Sequence, residues 1–165
     1  MSELQRGIQP DTATMRTVLG HFATGVTVVT ANDDGDNIWM ACNSFTSVSL
    51  DPPLVLFCAA KASSTWPRIQ AAKHYCVNVL AEDGEDLCRG FAVKPAAERY
   101  DGVGHSKAVT GAPVLDAALA YIDCSIESEF DGGDHVIVVG RVVELGYREG
   151  SPLAFYRGGY GRYAV

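Results

Sequence analysis

Several segments of this 165-residue chain carry polar side chains in patterns that can bind a ligand. The run Met40-Ala41-Cys42-Asn43-Ser44-Phe45-Thr46-Ser47-Val48-Ser49 sets one Asn, three Ser and one Thr between two apolar stretches. Short hydroxyl and amide groups beside free backbone N–H groups at a strand end can hold the carbonyls and ring nitrogens of a planar heterocycle, or a phosphate. The same residue types also build ordinary turns by bonding their own backbone. Lys61-Ala62-Ser63-Ser64-Thr65 places three hydroxyls and one ammonium at an expected helix start, which makes either a phosphate cradle or a plain cap. Gly133-Asp134-His135 brings a His to a strand mouth, where an imidazole can touch a ligand or simply brace a turn. The tail from Tyr156 through Arg157 and Tyr160 to Tyr163 mixes Gly, Arg and aromatics. It offers close backbone approach, stacking and charge to a ligand, or packing to a neighbouring subunit. His21, His74 and His105 stand in no motif.

Other chemistries lack their devices. No G-x-G-x-x-G follows an expected strand, and neither a phosphate-binding P-loop nor a G-x-S-x-G elbow occurs. The five cysteines, Cys42, Cys58, Cys76, Cys88 and Cys124, are odd in number and never closely spaced, which speaks against a zinc site. They read as buried thiols of a reducing cytoplasm, with Cys42 set apart by its place in the polar run. Lys and Arg total 13 against 20 Asp and Glu, a formal charge of −7. That balance disfavours nucleic acid and anionic membrane surfaces as partners. The chain has no apolar run of membrane-spanning length and no signal-peptide plan at its start.

Residue patterns place these segments on a β-rich framework. A helix is expected over Asp11–Phe22, capped by Asp11, with Met15, Val18, Leu19 and Phe22 on one face. Val26–Ala31 and Ile38–Cys42 form a hairpin around Asp33–Asn37. Phe45–Leu50 ends at Asp51-Pro52-Pro53, and Leu54–Ala59 follows as a short apolar strand. Helices are expected at Trp66–Lys73 and Glu82–Phe91, with a strand at Tyr75–Leu80 between them. Lys94–Pro113 reads as a long surface loop. Ala120–Phe130 alternates, with Ile122, Cys124, Ile126 and Phe130 on one side and Tyr121, Asp123, Ser125, Glu127 and Glu129 on the other. Val136–Leu145 is apolar on both faces, hence central, and Leu153–Tyr156 is a last short strand. Seven or so strands with two or three helices and no βαβ repeat fit one mainly β domain, an antiparallel barrel with helical insertions. Residues 1–10 are expected to be a loose N-terminal segment.

From about Met15 to Tyr163 the chain resembles the short-chain flavin reductases, the small reductase components of two-component flavin-dependent monooxygenases. The resemblance runs through Phe22-Ala23-Thr24-Gly25-Val26-Thr27-Val28-Val29-Thr30 and the block Asn43 to Leu56, with its Ser44-Phe45-Thr46-Ser47 and Asp51-Pro52-Pro53. It continues in Lys61-Ala62-Ser63-Ser64-Thr65, Val77-Asn78-Val79-Leu80-Ala81, Phe91-Ala92, Gly133-Asp134-His135 and Pro152 to Tyr160.

The resemblance implies a split β-barrel of the FMN-binding type, built as a homodimer in the cytoplasm. FAD or FMN, with FAD slightly ahead, would lie across Met40 to Ser49, oriented by Asn43, Ser44, Ser47 and Ser49. Lys61, Ser63, Ser64 and Thr65 would meet its phosphate end, and Phe91 would sit near it. His135, Arg157 and Tyr160 fall in segments placed near the nicotinamide dinucleotide, taken here as NADH. The reaction implied is hydride transfer from nicotinamide to flavin, with reduced flavin released to a separate oxygenase or halogenase. The cofactors carry that chemistry, so no catalytic nucleophile or base is expected. One stretch departs from the family: Trp39-Met40-Ala41-Cys42 stands where Gly-Met-Thr-Ala is usual, which replaces a Gly by Trp and removes a hydroxyl. A non-catalytic flavin- or haem-binding barrel is the alternative from another class, separable by NADH turnover. A pyridoxamine-phosphate-oxidase-like enzyme is another, and it would want more Arg and Lys around a phosphate.

Overall fold

A computed structural model describes residues 3–4, 6–93 and 102–163. Helix α1 (Thr12–Leu19) starts where the Asp11 carboxylate accepts a hydrogen bond from the Thr14 N–H at 2.9 Å, as the sequence cap implies. It stops at Gly20, short of Phe22, which is 77% exposed. None of its residues is buried, so the stripe Met15, Val18 and Leu19 lies uncovered by this chain.

Strands β1 (Thr24–Gly25), β2 (Thr27–Asp33) and β3 (Asp36–Cys42) follow. The β2–β3 hairpin turns through Asp34 and Gly35, both at positive φ (51° and 97°), the geometry a tight two-residue hairpin needs. Next come β4 (Thr46–Leu50), β5 (Pro53–Ala60), α2 (Trp66–Ala72), β6 (His74–Leu80) and α3 (Glu85–Val93). The chain closes with β7 (His105–Lys107), β8 (Pro113–Leu115), β9 (Ala118–Gly132), β10 (His135–Tyr147), β11 (Leu153–Tyr156) and β12 (Gly159–Arg162).

Seven strands join antiparallel in the order β3-β2-β6-β9-β10-β5-β4. One face of this sheet wraps a core of Val29, Ile38, Phe57, Tyr75, Val77 and Val138, closed by Trp66 and Ile69 of α2. The opposite face of β2, β3 and β6 carries a second cluster of Val28, Trp39 and Leu80, covered by Cys88 and Phe91 of α3, Leu115 of β8 and Leu153 of β11. Successive residues of a strand point to opposite faces. Val28 and Val29, or Ile38 and Trp39, therefore enter different clusters.

The second cover is pinned by polar groups. Buried Asn78 donates from Nδ2 to the Val28 carbonyl (3.2 Å) and Thr30 Oγ1 (3.1 Å), and its Oδ1 accepts from the Leu115 N–H (2.8 Å). Thr30 Oγ1 donates to the Pro113 carbonyl at 2.5 Å. Asp123 accepts from the Thr110 N–H (2.9 Å) and Thr110 Oγ1 (2.6 Å). These bonds correct the long loop expected at Lys94–Pro113. Residues 94–101 lie outside the described residues, and the rest forms the β7–β8 hairpin across a turn between Ala108 and Ala112.

Other expectations change as well. Asp123, expected on the solvent side of its strand, is fully buried, while Phe130, expected inside, is 56% exposed. The register shift opposite Val142–Glu144 and the hairpin end reaching beyond the core break the simple alternation. The strands number twelve rather than about seven among the described residues, because β12 pairs with β11 and the short β1, β7 and β8 escape period-2 reading. Helix α3 begins at Glu85 rather than Glu82.

Burial holds the Asp123 carboxyl above the ordinary value of 3.8, against the lowering effect of the two Thr110 bonds. The folded chain then binds this proton more tightly than the unfolded chain. This group therefore makes stability fall as pH rises from about 4. Denaturant unfolding across pH 4 to 7 should give a shallower fall in Asp123→Asn than in the native chain; equal slopes would remove Asp123 as the cause.

Candidate functional site

A groove opens where the second cover of β3 ends. Trp39 fills the outer face of the strand up to that point, and Ala41, two residues on and on the same face, leaves it open. The main part of the groove, about 480 Å³, has Trp39, Met40 and Ala41 as its floor. The β5–α2 loop contributes Ala62, Ser63, Ser64 and Thr65 at one end, α3 contributes Cys88 and Phe91, and β12 contributes Tyr160. A recess of about 160 Å³ shares Ala41, Cys88 and Tyr160 with it and adds Val26, Cys42, Asn43 and Phe155.

Local bonding fixes the walls. Ser63 Oγ accepts from the N–H groups of Thr65 (3.2 Å), the N-cap residue of α2, and of Trp66 (3.3 Å), its first residue, so it braces the helix start, with Pro67 in the first turn. Its own hydroxyl proton points to Met40 Sδ at 4.0 Å, on the groove floor. Ser44 Oγ accepts from the Cys58 N–H (2.9 Å) and lies 3.0 Å from Cys42 Sγ, which ties the start of β4 to β5. The Tyr160 ring stands edge-on to Phe155 (centroids 5.4 Å apart), and Arg89 Cζ lies over the ring, 5.2 Å from its centroid. Arg89 is itself paired with Glu85 one turn earlier.

Among the described residues, no charged side chain lines either part. Burial raises the Cys42 thiol above its ordinary value and pushes Cys88 up to about 11, with the Tyr160 hydroxyl pulling the latter down. Both thiols are protonated near neutrality. The groove is thus a neutral slot with an apolar floor, aromatic walls and a hydroxyl-rich end, suited to a planar ring with a phosphate-bearing tail.

The structure gathers Met40, Ala41, Cys42, Asn43, Ser63, Ser64, Thr65, Phe91 and Tyr160 around this space. Ser44 is turned to β5 as described, and Ser47 and Ser49 sit on the edge strand β4, outside the lining. Lys61 and His135 meet at the mouth of the β5–β10 pair, beside the Ser63 loop. The Lys61 ammonium pairs with Asp131, its N–H bonds the Asp134 carbonyl (3.0 Å), and His135 faces Ala60. His135 Nδ1 lies 2.7 Å from the Asp134 carboxylate. Arg157 occupies the β11–β12 turn at φ 49°, with its N–H bonded to the Gly20 carbonyl. Val26, Cys88, Phe155 and Arg89 escaped the sequence reading, since each looks like an ordinary core or helix-surface residue in its own segment.

No group of three or more His, Cys, Asp or Glu among the described residues is arranged to hold a metal ion. None of their helices is long and apolar enough to cross a membrane. The profile of a family described as "Flavin reductase like domain" matches residues 19–164. The chain belongs to the flavin reductase-like family.

Its relatives match it along most of its length. The reductase subunit HsaB of a flavin-dependent monooxygenase from Rhodococcus jostii is 47% identical over 151 residues, 91% of this chain and 77% of that protein. The FMN reductase (NADH) SmoA of Agrobacterium fabrum is 42% identical over 149 residues, 90% of this chain and 84% of its own. The solved NADH:FAD oxidoreductase SgcE6 of Streptomyces globisporus C-1027 superposes with a TM-score of 0.89 at 35% identity, covering 100% of this chain and 95% of that one. The mainly β architecture with three helices is the split-barrel fold of flavin reductases.

In this flavin reductase-like fold the Ser63 loop has separable structural and surface hydroxyls. Ser63→Ala should cost about 1 kcal/mol of unfolding free energy, because it orphans two N–H groups. Ser64→Ala should leave stability within about 0.5 kcal/mol. Urea unfolding of both variants checks this, and equal losses would contradict the bracing role.

Proposed function

We propose that this chain is the reductase component of a two-component flavin-dependent system, oxidising NAD(P)H and supplying reduced flavin to a separate oxygenase or halogenase. The observation that carries the reading is the neutral, hydroxyl-ended groove at the end of β3 in a chain of the flavin reductase-like family. A flavin bound there accepts the hydride that the nicotinamide donates. The chain's own residues bind, orient and exclude water. Trp39, Met40 and Ala41 form an apolar floor for a ring, and Asn43 offers an amide at its edge. Ser64 and Thr65 hydroxyls meet the phosphate end. Phe91 and Tyr160 bound the slot laterally.

The proposed pair is FAD and NADH. The names of two relatives, an NADH:FAD oxidoreductase and an FMN reductase (NADH), support NADH, and the first supports FAD. His135 is proposed to position the nicotinamide dinucleotide from the mouth beside the Ser63 loop. Five free thiols suit a reducing cytoplasm. A neutral groove holding an anionic ligand through hydroxyls fits release of reduced flavin better than retention.

A homodimer is proposed from surface chemistry. Val143, Leu145 and Tyr147 alternate along β10, all exposed, with Tyr147 at 81% and Leu50 uncovered at the β4–β5 turn. An apolar strand face of this kind calls for a covering partner, and a second copy offers the same face.

Two measurements test these readings. The protein mixed with NADH and FAD or FMN should consume NADH only when flavin is present, and a nicotinamide absorbance that stays constant with FAD and with FMN would sink the reductase reading. In the same assay His135→Ala should raise KM for NADH about tenfold or more while KM for flavin changes about twofold or less; equal losses would take His135 out of the nicotinamide site. Sedimentation should give a dimer that Leu145→Glu converts to monomer, and a monomeric native chain would overturn the dimer.

A further inference from the structure

We infer that Arg89 is a phosphate-binding residue of the groove, its guanidinium leaving Glu85 to pair with the phosphate of an entering nucleotide. This rests on the proposal that flavin occupies the groove. Every lining side chain among the described residues is neutral, yet FMN, FAD and the nicotinamide dinucleotides all bring phosphate charge. Hydroxyls alone can bond that charge but not balance it.

Arg89 is a cation packed on the groove wall. Its Cζ lies 5.2 Å from the ring of Tyr160, one of the three residues common to both parts of the groove. Other cations pair elsewhere: Lys61 with Asp131, Arg68 with Asp33 and Asp36, Arg141 with Glu127, Arg148 with the carbonyls of Ala118 and Asp116, and Arg162 with Glu82. Arg89 is held by Glu85 at 2.6 and 2.7 Å, but its side chain is 61% exposed. An exposed pair four residues apart on a helix is weak. A phosphate offers a guanidinium two parallel charge-assisted bonds and more charge than a single carboxylate. Glu85 is therefore a resting partner that keeps Arg89 stretched over Tyr160 and that a phosphate displaces.

The test compares FAD, FMN and riboflavin, which carries the same ring without phosphate, by steady-state kinetics with NADH. Arg89→Gln should raise KM for FAD and FMN about tenfold and leave KM for riboflavin within about twofold. Arg89→Lys should recover part of the loss, and Glu85→Gln, which frees the guanidinium, should lower KM for FAD and FMN. A rise confined to KM for NADH would support the same residue with the dinucleotide as the phosphate source. An equal rise for riboflavin would overturn the proposal and leave Arg89 as a prop for Tyr160, and no change with any ligand would overturn it too. Ala41→Trp, which fills the groove floor, separates the underlying reading: unchanged KM for all three flavins in that variant would move the flavin elsewhere.

Discussion

Strands β2 and β3 have to be covered on both faces. Val29 and Ile38 point into the core that the seven-stranded sheet wraps, while Val28 and Trp39, one residue away in each strand, point outward. Leaving a Trp and a Val on the outer face in water would forfeit about 1.5–3 kcal/mol for each large side chain. Helix α3, the β7–β8 hairpin and the β11–β12 hairpin supply the second layer. Asn78, Thr30 and Asp123 hold the β7–β8 unit in place through bonds to its backbone and turn. The groove lies where that layer runs out along β3, so its walls are the same elements that complete the second core.

This origin explains the chemistry of the groove. Its floor and sides are continuations of apolar packing, with Trp39, Phe91, Phe155 and Tyr160 belonging to the second cluster as well as to the cavity. Polar groups enter only at its ends, from Asn43 where β3 stops and from the loop before α2. The Ser63 hydroxyl serves the fold and the groove together, accepting two helix N–H groups while keeping one proton for the floor. A slot built this way suits a ring held by shape, and among the described residues its lining carries no charged group. That is sufficient when the reacting groups belong to two bound cofactors and only their approach needs control.

The sequence was most legible where one segment carries its own signal. Asp11 caps α1, Asp34-Gly35 turns the β2–β3 hairpin, and the prolines at 52 and 53 separate β4 from β5, all through local backbone chemistry. The polar runs at Met40–Asn43 and Ser63–Thr65 stood out for the same reason, and they face one cavity. Asp123 was misplaced because its bonds to Thr110 cross 13 residues of sequence and its strand shifts register. The β7–β8 hairpin was missed because its anchors are Asn78 and Thr30, far away in the chain.

The amino-acid order by itself determined a mainly β chain, the hairpins closed by its turns, and two polar segments beside an expected aromatic at Phe91. Tertiary structure alone decided that Val26, Cys88 and Phe155 join those segments, with Arg89 packed on Tyr160. It also decided that Ser44 braces β5 and that His135 and Lys61 flank the mouth rather than line the groove. The reason is physical: alternation and capping are properties of neighbouring residues, whereas a cavity is the space left between elements whose contacts span the chain.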